Sequence, residues 1–239
     1  MIYLLVEFMG VFFMVLYRGY SNILVEQDIQ TPKLANNILY GLLVLIFTIS
    51  AKNVSQALFN PSFAIVQNLW GKLTVGATVG YLCAHIVASL CATSVLVSVL
   101  KYEKNLDIKQ LYIGVRSIDP DGYYFAVLSQ EIIGSLFLYF GYLHYFVYKK
   151  DTYEMGCLFY SFIVMALSAA TYGFNGGAYN LAVMLGGLLF DSSLDKKLIG
   201  LFIGNVCGTV IAKLLYQRIL VKEKEKTEHK VLKMLFSTN

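Results

Sequence analysis

Two asparagines, Asn60 and Asn180, each open a short apolar segment that carries no charged residue. A side-chain amide at a helix start can accept a hydrogen bond from a free backbone N–H group and can donate one to a polar molecule nearby. This pattern indicates no covalent chemistry. We expect the two amides to bind and orient an oxygen atom, as in selective passage through a pore.

Two carboxylates, Glu7 and Glu131, lie inside long apolar runs. A carboxylate within a membrane span is costly and needs partners. We expect each to accept hydrogen bonds from backbone N–H groups before a half-helix, with a proton relay as the alternative. His85 also lies in an apolar run, and we expect it to support the neighbouring loop backbone, with pH sensing as the alternative.

The sequence offers no pattern for catalysis or for metal binding. Its three histidines and four cysteines are scattered, and CxxC, phosphate-loop and Ser-His-Asp spacings are missing. We therefore expect no enzyme activity, no cofactor and no metal. Much of the basic excess behind the net charge of +4 lies in a C-terminal stretch, so we expect no nucleic-acid partner.

The composition predicts a membrane protein with several spans. Of 239 residues, 57% are hydrophobic and only 14% are charged, against roughly a quarter charged in soluble domains. Six apolar runs could each form a spanning helix, the second only marginally: 2–20, 36–51, 73–100, 123–148, 155–174 and 198–220. Segments 53–70 and 175–190 have apolar parts of half that length, which is typical of re-entrant half-helices.

These elements follow the same order twice. Asn60 follows Glu7 by 53 residues, and Asn180 follows Glu131 by 49. Three spans per copy turn the second copy over, so the sequence predicts an all-α membrane protein of six transmembrane helices and two half-helices in an inverted repeat. The predicted divisions are 1–100 (half-helix 60–70), a linking loop 101–122, 123–220 (half-helix 180–190) and a cytoplasmic tail 221–239.

Over the whole chain, these features resemble the aquaporin (major intrinsic protein) family. Asn60-Pro61-Ser62 and Asn180-Leu181-Ala182 resemble its two Asn-Pro-Ala boxes. Further matches are the buried glutamates, the aromatic-Gly pair of the second helix and the polar residue of the third, which correspond to Glu7, Glu131, Tyr40-Gly41 and Ala84-His85.

The departures from the family pattern lie in and beside the boxes. Ser62 replaces an alanine, Leu181 replaces a proline, and Val183 stands where the family usually has its filter arginine. In lacking that arginine, the chain is similar to the superaquaporins and the plant small basic intrinsic proteins. Pro61 suits a first helical position, whereas Leu181 lacks that preset geometry and predicts a less rigid half-helix start.

The resemblance also implies a selectivity filter. Its lining would be Tyr40, Ser168, Gly177 and Val183. Three of these are small or aliphatic, so we expect a wide constriction without a fixed positive charge. Exclusion of protons and cations would then depend on the half-helix dipoles.

The leading interpretation is a passive channel for water and small neutral solutes such as glycerol, ammonia or hydrogen peroxide. A non-conducting membrane scaffold or adhesion protein that keeps this fold is the alternative, and an ion-coupled carrier lacks paired charges. The resemblance implies a homotetramer in the lipid bilayer. The distribution of lysine and arginine favours cytoplasmic termini, and either the plasma membrane or an intracellular, endoplasmic-reticulum-like membrane fits.

Overall fold

The computed structural model describes residues 1–26, 33–51, 53–102, 123–148, 153–175, 179–188 and 196–221. All regular structure in these ranges is helical. The helices are α1 (Ile2–Glu26), α2 (Lys33–Ser50), α3 (Pro61–Leu69), α4 (Val75–Tyr102), α5 (Tyr123–Tyr142), α6 (Tyr153–Asn175), α7 (Leu181–Leu188) and α8 (Lys196–Tyr216). α5 and α8 continue as π-helical turns, Leu143–Tyr148 and Gln217–Val221.

Five of the described helices are long and apolar enough to cross a membrane. They contain the stretches Ile2–Ser21, Val75–Val99, Phe125–Tyr148, Tyr153–Thr171 and Ile199–Ile219. α2 is shorter, with an apolar stretch Leu34–Ser50, as expected for the marginal second run. Residues 103–122 of the predicted linking loop, the tail beyond residue 221 and half-helix residues 189–190 lie outside the described residues, whereas residues 101 and 102 of that loop belong to α4.

The short helices α3 and α7 match the two predicted half-helices. α3 has nine residues and α7 has eight, which at about 1.5 Å per residue reaches only partway across the hydrocarbon. Neither begins in exposed loop structure, because Asn60 and Asn180 are both buried.

The two halves of the chain make matching helix contacts. The most extensive helix contacts are those of α5 with α8 and of α1 with α4, which are corresponding pairs in the two predicted repeats. Each half-helix also packs on the last span of the opposite half, α7 on α4 and α3 on α8. The half-helices are therefore held between the repeats.

Close approach of α5 and α8 depends on small residues. A Cβ atom placed on Gly208 would overlap the carbonyl oxygen of Ile132, and one placed on Gly204 would lie 2.9 Å from the carbonyl oxygen of Leu128. Glycine at such positions lets helix backbones approach each other in a membrane.

The outward faces of the spanning helices are apolar. Large hydrophobic side chains such as Leu5, Phe13, Phe137 and Phe162 are exposed, while polar side chains such as Glu7, Ser89 and Glu131 are fully buried. Polar groups that face the bundle interior and apolar groups that face outward are the arrangement a bilayer requires. The chain is a multi-pass integral membrane protein.

Candidate pore site

Each half-helix begins with an asparagine that caps it. Asn60 has extended backbone (φ −141°, ψ 122°), and its Oδ1 accepts hydrogen bonds from the Ser62 backbone N–H (3.2 Å) and the Ser62 hydroxyl (3.0 Å). Asn180 Oδ1 accepts one from the Ala182 backbone N–H at 2.9 Å. Pro61 occupies the first position of α3, where a missing N–H costs nothing.

Each of these two side chains also binds the backbone of the residue that precedes the other asparagine. Asn60 Nδ2 donates to the carbonyl of Tyr179 at 3.0 Å, and Asn180 Nδ2 donates to the carbonyl of Phe59 at 2.7 Å. A third bond joins the halves, because the Leu181 backbone N–H donates to Asn60 Oδ1 at 3.3 Å. The N-termini of α3 and α7 therefore meet inside the protein, as the sequence predicts.

Leu181 thus has a contact that sequence reasoning missed. Proline at this position has no N–H to donate, so the departure from the family box supplies a hydrogen bond between the two half-helix starts. Whether the start of α7 is less rigid stays a prediction.

The residues before the two asparagines share an unusual backbone. Phe59 and Tyr179 each have φ of 45°, the left-handed region that side chains rarely adopt. Their rings pack where Gly10 and Gly134 leave space, since a Cβ atom on either glycine would overlap the ring. The left-handed conformation belongs to the same residues whose carbonyls receive the asparagine amides.

Glu7 holds the loop that leads to Asn60. Its Oε1 accepts from the Ser55 hydroxyl (2.7 Å) and the Leu58 N–H (3.0 Å), and its Oε2 accepts from the Phe59 N–H (2.8 Å). His85 Nε2 lies 3.0 Å from Oε2. His85 therefore acts through Glu7 rather than by binding the loop backbone directly, which differs from the expectation.

Glu131 has a corresponding partner in α8. Asn205 Nδ2 donates to its Oε2 at 3.2 Å. Asn205 lies 74 residues beyond Glu131, and His85 lies 78 beyond Glu7. Sequence reasoning missed Asn205, although the repeat offset could have found it. The loop residues 176–178, where further partners were expected, lie outside the described residues.

One helical turn beyond His85 and Asn205, two hydroxyls brace the boxes. The Ser89 hydroxyl donates to the carbonyl of Ala182 at 2.5 Å, and the Thr209 hydroxyl lies 3.3 Å from that of Ser62. Each brace comes from the opposite half of the chain, so the two halves hold each other's half-helix starts.

A narrow cavity of about 20 Å³ lies against the asparagine pair. That volume has room for about one water molecule. Asn60 and Asn180 line it together with mostly apolar or aromatic side chains: Met14, Tyr40, Val44, Leu58, Phe59, Leu138, Tyr160, Val164 and Tyr179. Each amide has two N–H donors, and its bond to the opposite carbonyl uses one of them.

A second cavity, larger and more polar, has a volume of about 490 Å³ and borders the loop between α2 and α3. We call it the vestibule. Its lining residues are Asn53, Ser55, Gln56, Gln67, Lys72, Tyr142, Phe146, Val147 and Tyr153. None of them also lines the narrow cavity. Aromatic rings lie between the two spaces: Phe146, which lines the vestibule, packs edge-on at 5.5 Å against Tyr160, which lines the cavity.

The four predicted filter residues are not all brought together by the described part of the chain. Tyr40 lines the cavity with the asparagines. Ser168 and Val183 are fully buried but are absent from the lining of the cavity and of the vestibule. Gly177 lies outside the described residues, so the filter stays a prediction.

Arg18, near the end of the first apolar run, is a residue to which the sequence analysis assigned no role. The structure buries it completely. Its Nη1 donates to Asn37 Oδ1 at 3.0 Å, and its guanidinium carbon lies 4.6 Å from the centre of the Tyr40 ring. The sequence signal was an arginine within one helical turn of the end of an apolar run.

Comparison with known proteins agrees with this architecture. A family profile described as MIP, major intrinsic protein, matches residues 2–216. The X-ray structure of the aquaglyceroporin from Plasmodium falciparum is similar with a TM-score of 0.71 and 17% sequence identity, over 91% of this chain and 96% of that chain. At that identity the likeness shows the fold. No curated protein sequence matches the chain.

Proposed function

Because the chain belongs to the major intrinsic protein family, we propose that it is a passive membrane channel for water and small neutral solutes such as glycerol, ammonia or hydrogen peroxide. The observation that carries the proposal is the reciprocal asparagine pair. Both amides line one narrow cavity and are fixed by bonds to the opposite half of the chain.

The asparagine pair would orient a permeating molecule through its oxygen. The free N-termini of α3 and α7 carry a partial positive charge, and the unused amide N–H groups favour an acceptor. A water oxygen meets donors there, whereas a cation meets repulsion. Since the cavity has room for about one water, molecules would pass in single file.

The rest of the cavity wall offers few competing contacts. Met14, Val44, Leu58, Leu138 and Val164 present apolar surface to the cavity. An apolar wall does not hold a permeant by hydrogen bonds, so binding stays weak enough for the molecule to leave. The same wall lowers the occupancy of water, which predicts modest conduction.

We assign the outer constriction to Tyr40, Ser168, Gly177 and Val183. Tyr40 supports this assignment by lining the cavity beside Asn60. With valine at position 183, the constriction would admit solutes larger than water. The boxes themselves are Asn60-Pro61-Ser62 and Asn180-Leu181-Ala182, with Glu7, Glu131 and His85 as structural support.

Two further features belong to the proposal. The chain would assemble as a homotetramer in the bilayer, with one pore in each subunit and the exposed apolar faces against lipid or a neighbouring copy. Both termini would lie in the cytoplasm. Cross-linking of the purified protein in membranes should give species up to four copies and no larger.

Flux through reconstituted protein tests the channel. Purified protein in liposomes is subjected to osmotic shock, and vesicle volume is followed by stopped-flow light scattering with sucrose, glycerol or hydrogen peroxide as osmolyte. Shrinkage in sucrose should be faster than in empty liposomes. Rates for water, glycerol and peroxide that all equal those of empty liposomes would rule out the channel.

The alternative is a non-conducting scaffold or adhesion protein with this fold. The small size of the cavity and the aromatic rings between it and the vestibule favour this reading. It predicts no flux for any solute even when the protein is folded and tetrameric, so the same liposome experiment separates the two functions.

A further inference from the structure

The vestibule has the size and the lining of a ligand site. Its volume of about 490 Å³ lies within the range of about 300–1,000 Å³ that is typical of sites for small molecules. Aromatic rings and several polar side chains form its wall, among them Gln67 and Lys72. The channel mechanism proposed above assigns no role to these two polar groups.

The turn that ends α3 places both groups at the vestibule. Gly71 has a left-handed backbone (φ 66°), and its N–H donates to the carbonyl of Asn68 at 2.8 Å. The Lys72 N–H donates to the carbonyl of Gln67, also at 2.8 Å. These two bonds form a Schellman motif, which glycine favours because it adopts the left-handed backbone without strain. The motif fixes the backbone of Lys72 beside that of Gln67.

The side-chain amide of Gln67 is a buried polar group that needs a donor. Gln67 is 2% exposed, and its Oε1 has no hydrogen-bond partner among the described residues. An unpaired buried carbonyl oxygen is costly, so nearly all such groups in proteins are paired. Rotation about the last torsion of the side chain, which is soft in glutamine, turns the amide towards the vestibule that it borders. A ligand that carries a hydroxyl group would supply the donor.

Tyr142 adds a second acceptor to the same wall. Its hydroxyl donates its one proton to the carbonyl of Gln56 at 2.9 Å, so its oxygen can only accept a hydrogen bond from a ligand. Both residues line the vestibule. The wall therefore favours a ligand with more than one hydroxyl group.

Lys72 gives the vestibule a positive charge. Its side chain is exposed, and no carboxylate in the described ranges forms an ion pair with it. Glu7 lies behind the wall, where it binds the Ser55 hydroxyl, but it is already met by two backbone N–H groups and by His85 at 3.0 Å. An anion in the vestibule would be attracted by Lys72.

A second cation lies behind α3. The hydrogen bonds that join α8 to Ser62 and to Trp70 both span 147 residues, so the two helices run side by side in register. Lys213, midway along this contact, is 1% exposed, and for its Nζ the described part of the chain offers no hydrogen-bond partner. Lys213 and Lys72 are close enough to repel each other. An anion beside Lys72 would offset this repulsion.

We propose that the vestibule is a binding site for a small hydroxycarboxylate. The carboxylate binds the ammonium group of Lys72, hydroxyl groups donate to Gln67 Oε1 and to the Tyr142 oxygen, and the carbon chain packs on the ring of Phe146. Such a ligand combines the one negative charge and the several donors that this wall lacks. The inference goes beyond the proposed channel, because binding requires no flux.

Three related compounds test the ligand class. Sodium glycerate carries both the charge and two hydroxyl groups, propionate keeps the carboxylate without hydroxyl groups, and glycerol keeps the hydroxyl groups without the charge. Each is titrated into the purified protein in detergent, with calorimetry at constant ionic strength. Glycerate should bind on the order of tenfold more tightly than either of the others, since a hydrogen bond to a charged or otherwise unpaired buried group contributes about that factor.

Variants of the wall locate the binding. Lys72→Gln removes the charge from an exposed side chain and should weaken glycerate binding on the order of tenfold, whereas Lys72→Arg should stay near the wild-type affinity. Gln67→Leu should bind glycerate no more tightly than propionate. The matched control is Arg218→Gln, which removes an exposed arginine from the end of α8 that does not line the vestibule and should leave the affinity unchanged.

The outcomes either support the site or overturn it. If glycerate binds the wild type no more tightly than propionate and glycerol do, the vestibule holds water only and the inference is wrong. It is also wrong if Lys72→Gln keeps the wild-type affinity, or if Arg218→Gln weakens binding as much as Lys72→Gln does. Because these titrations use protein in detergent, a failure of the channel in liposomes leaves their result unaffected.

Discussion

Phe59 and Tyr179 show why a costly residue conformation persists in this protein. A left-handed backbone at a residue other than glycine costs on the order of 1 kcal/mol or more. Both residues, with φ of 45°, offer their carbonyls to the opposite asparagine. Glycine would adopt this backbone without strain, but it would leave the space over Gly10 or Gly134 empty. The ring and the carbonyl together explain the choice.

Gly134→Ala tests that fit between ring and glycine. The added Cβ would overlap the Tyr179 ring, so the loop before Asn180 must move. Overpacking of this kind costs about 1–3 kcal/mol. We expect lower thermal stability in detergent and lower water flux, measured by a thermal-shift assay and stopped flow.

A double variant provides the control for this fit. Gly134→Ala combined with Tyr179→Leu removes the overlapping ring, so it should recover part of the lost stability. If Gly134→Ala alone has the stability and flux of the wild type, the glycine is not needed for the position of the loop.

Val183→Arg tests the proposed constriction. A long charged side chain at a pore-lining position would narrow the opening and offer donors to water, so glycerol flux should fall far more than water flux. Val183→Leu adds one methylene group without charge and serves as the control for a small increase in bulk. Equal loss of both fluxes in Val183→Arg would show that residue 183 does not line the constriction.

At the start of the half-helix α7, a single substitution to proline would remove one stabilising effect, a hydrogen bond, and add another, a preset backbone angle. Leu181→Pro removes the N–H that donates to Asn60 Oδ1 at 3.3 Å, a net loss of about 1 kcal/mol. Proline at the first helical position presets φ and stabilises by about 0.4–1 kcal/mol. These two backbone effects nearly cancel, so the remaining loss of stability should come from the buried Leu181 side chain, which packs with Val127, Met184 and Leu201, and should be no larger than the loss in Leu181→Ala.

Water flux gives the functional side of that prediction. Since Asn60 and Asn180 keep their bonds to Tyr179 and Phe59, flux through Leu181→Pro should stay within about twofold of wild type. Leu181→Ala, which keeps the N–H, is the control. A large fall in flux that is confined to the proline variant would mean that the N–H bond fixes the asparagine pair.

At the level of elements, the sequence allows prediction of those features that show as a repeat or as a regular spacing of residue types along the chain. The order of spans and half-helices and the meeting of Asn60 with Asn180 follow from spacing that is visible along the chain. Side-chain partners set by packing do not. Asn205 could be found as the partner of Glu131 only through the repeat offset. The burial of Arg18 depends on Asn37 and Tyr40 in the next helix, and no repeat or period in the sequence indicates it.

In the whole molecule, the contacts that join the two halves of the chain are also the contacts that hold the proposed pore site. Ser89 of α4 binds the start of α7, and Thr209 of α8 lies against the start of α3. The asparagines bind across the same boundary. A half of the chain folded alone would lack these hydrogen bonds across the boundary, so we expect the two halves to fold as one cooperative unit.

A cluster of aromatic rings joins the lining of the vestibule to that of the asparagine cavity, and in the proposed channel the path between these spaces passes the rings. Phe146 lies in the π-helical turn at the end of α5 and contacts Tyr142 (5.3 Å), Tyr153 (5.2 Å) and Tyr160 (5.5 Å) between ring centroids. Tyr142 is anchored by a hydrogen bond from its hydroxyl to the Gln56 carbonyl at 2.9 Å. Of these rings, Phe146 is held by packing alone, without a hydroxyl.

Phe146→Ala should therefore open this path. Removing the ring takes away the contact between the vestibule lining and Tyr160, and water flux in proteoliposomes should rise severalfold. The cost is a cavity, with a loss of stability of about 3–5 kcal/mol if the site cannot collapse, so Phe146→Leu is measured beside it as a milder variant. Phe140→Leu, in the same helix but packed on Tyr216 of α8 at 5.0 Å, controls for loss of an aromatic ring elsewhere.

Flux that rises in both Phe146 variants and not in Phe140→Leu identifies the cluster as the narrowest barrier, because only there would ring volume limit passage. Flux that stays at the wild-type level in folded Phe146→Leu and Phe146→Ala protein would place the barrier at the asparagine pair or beyond it.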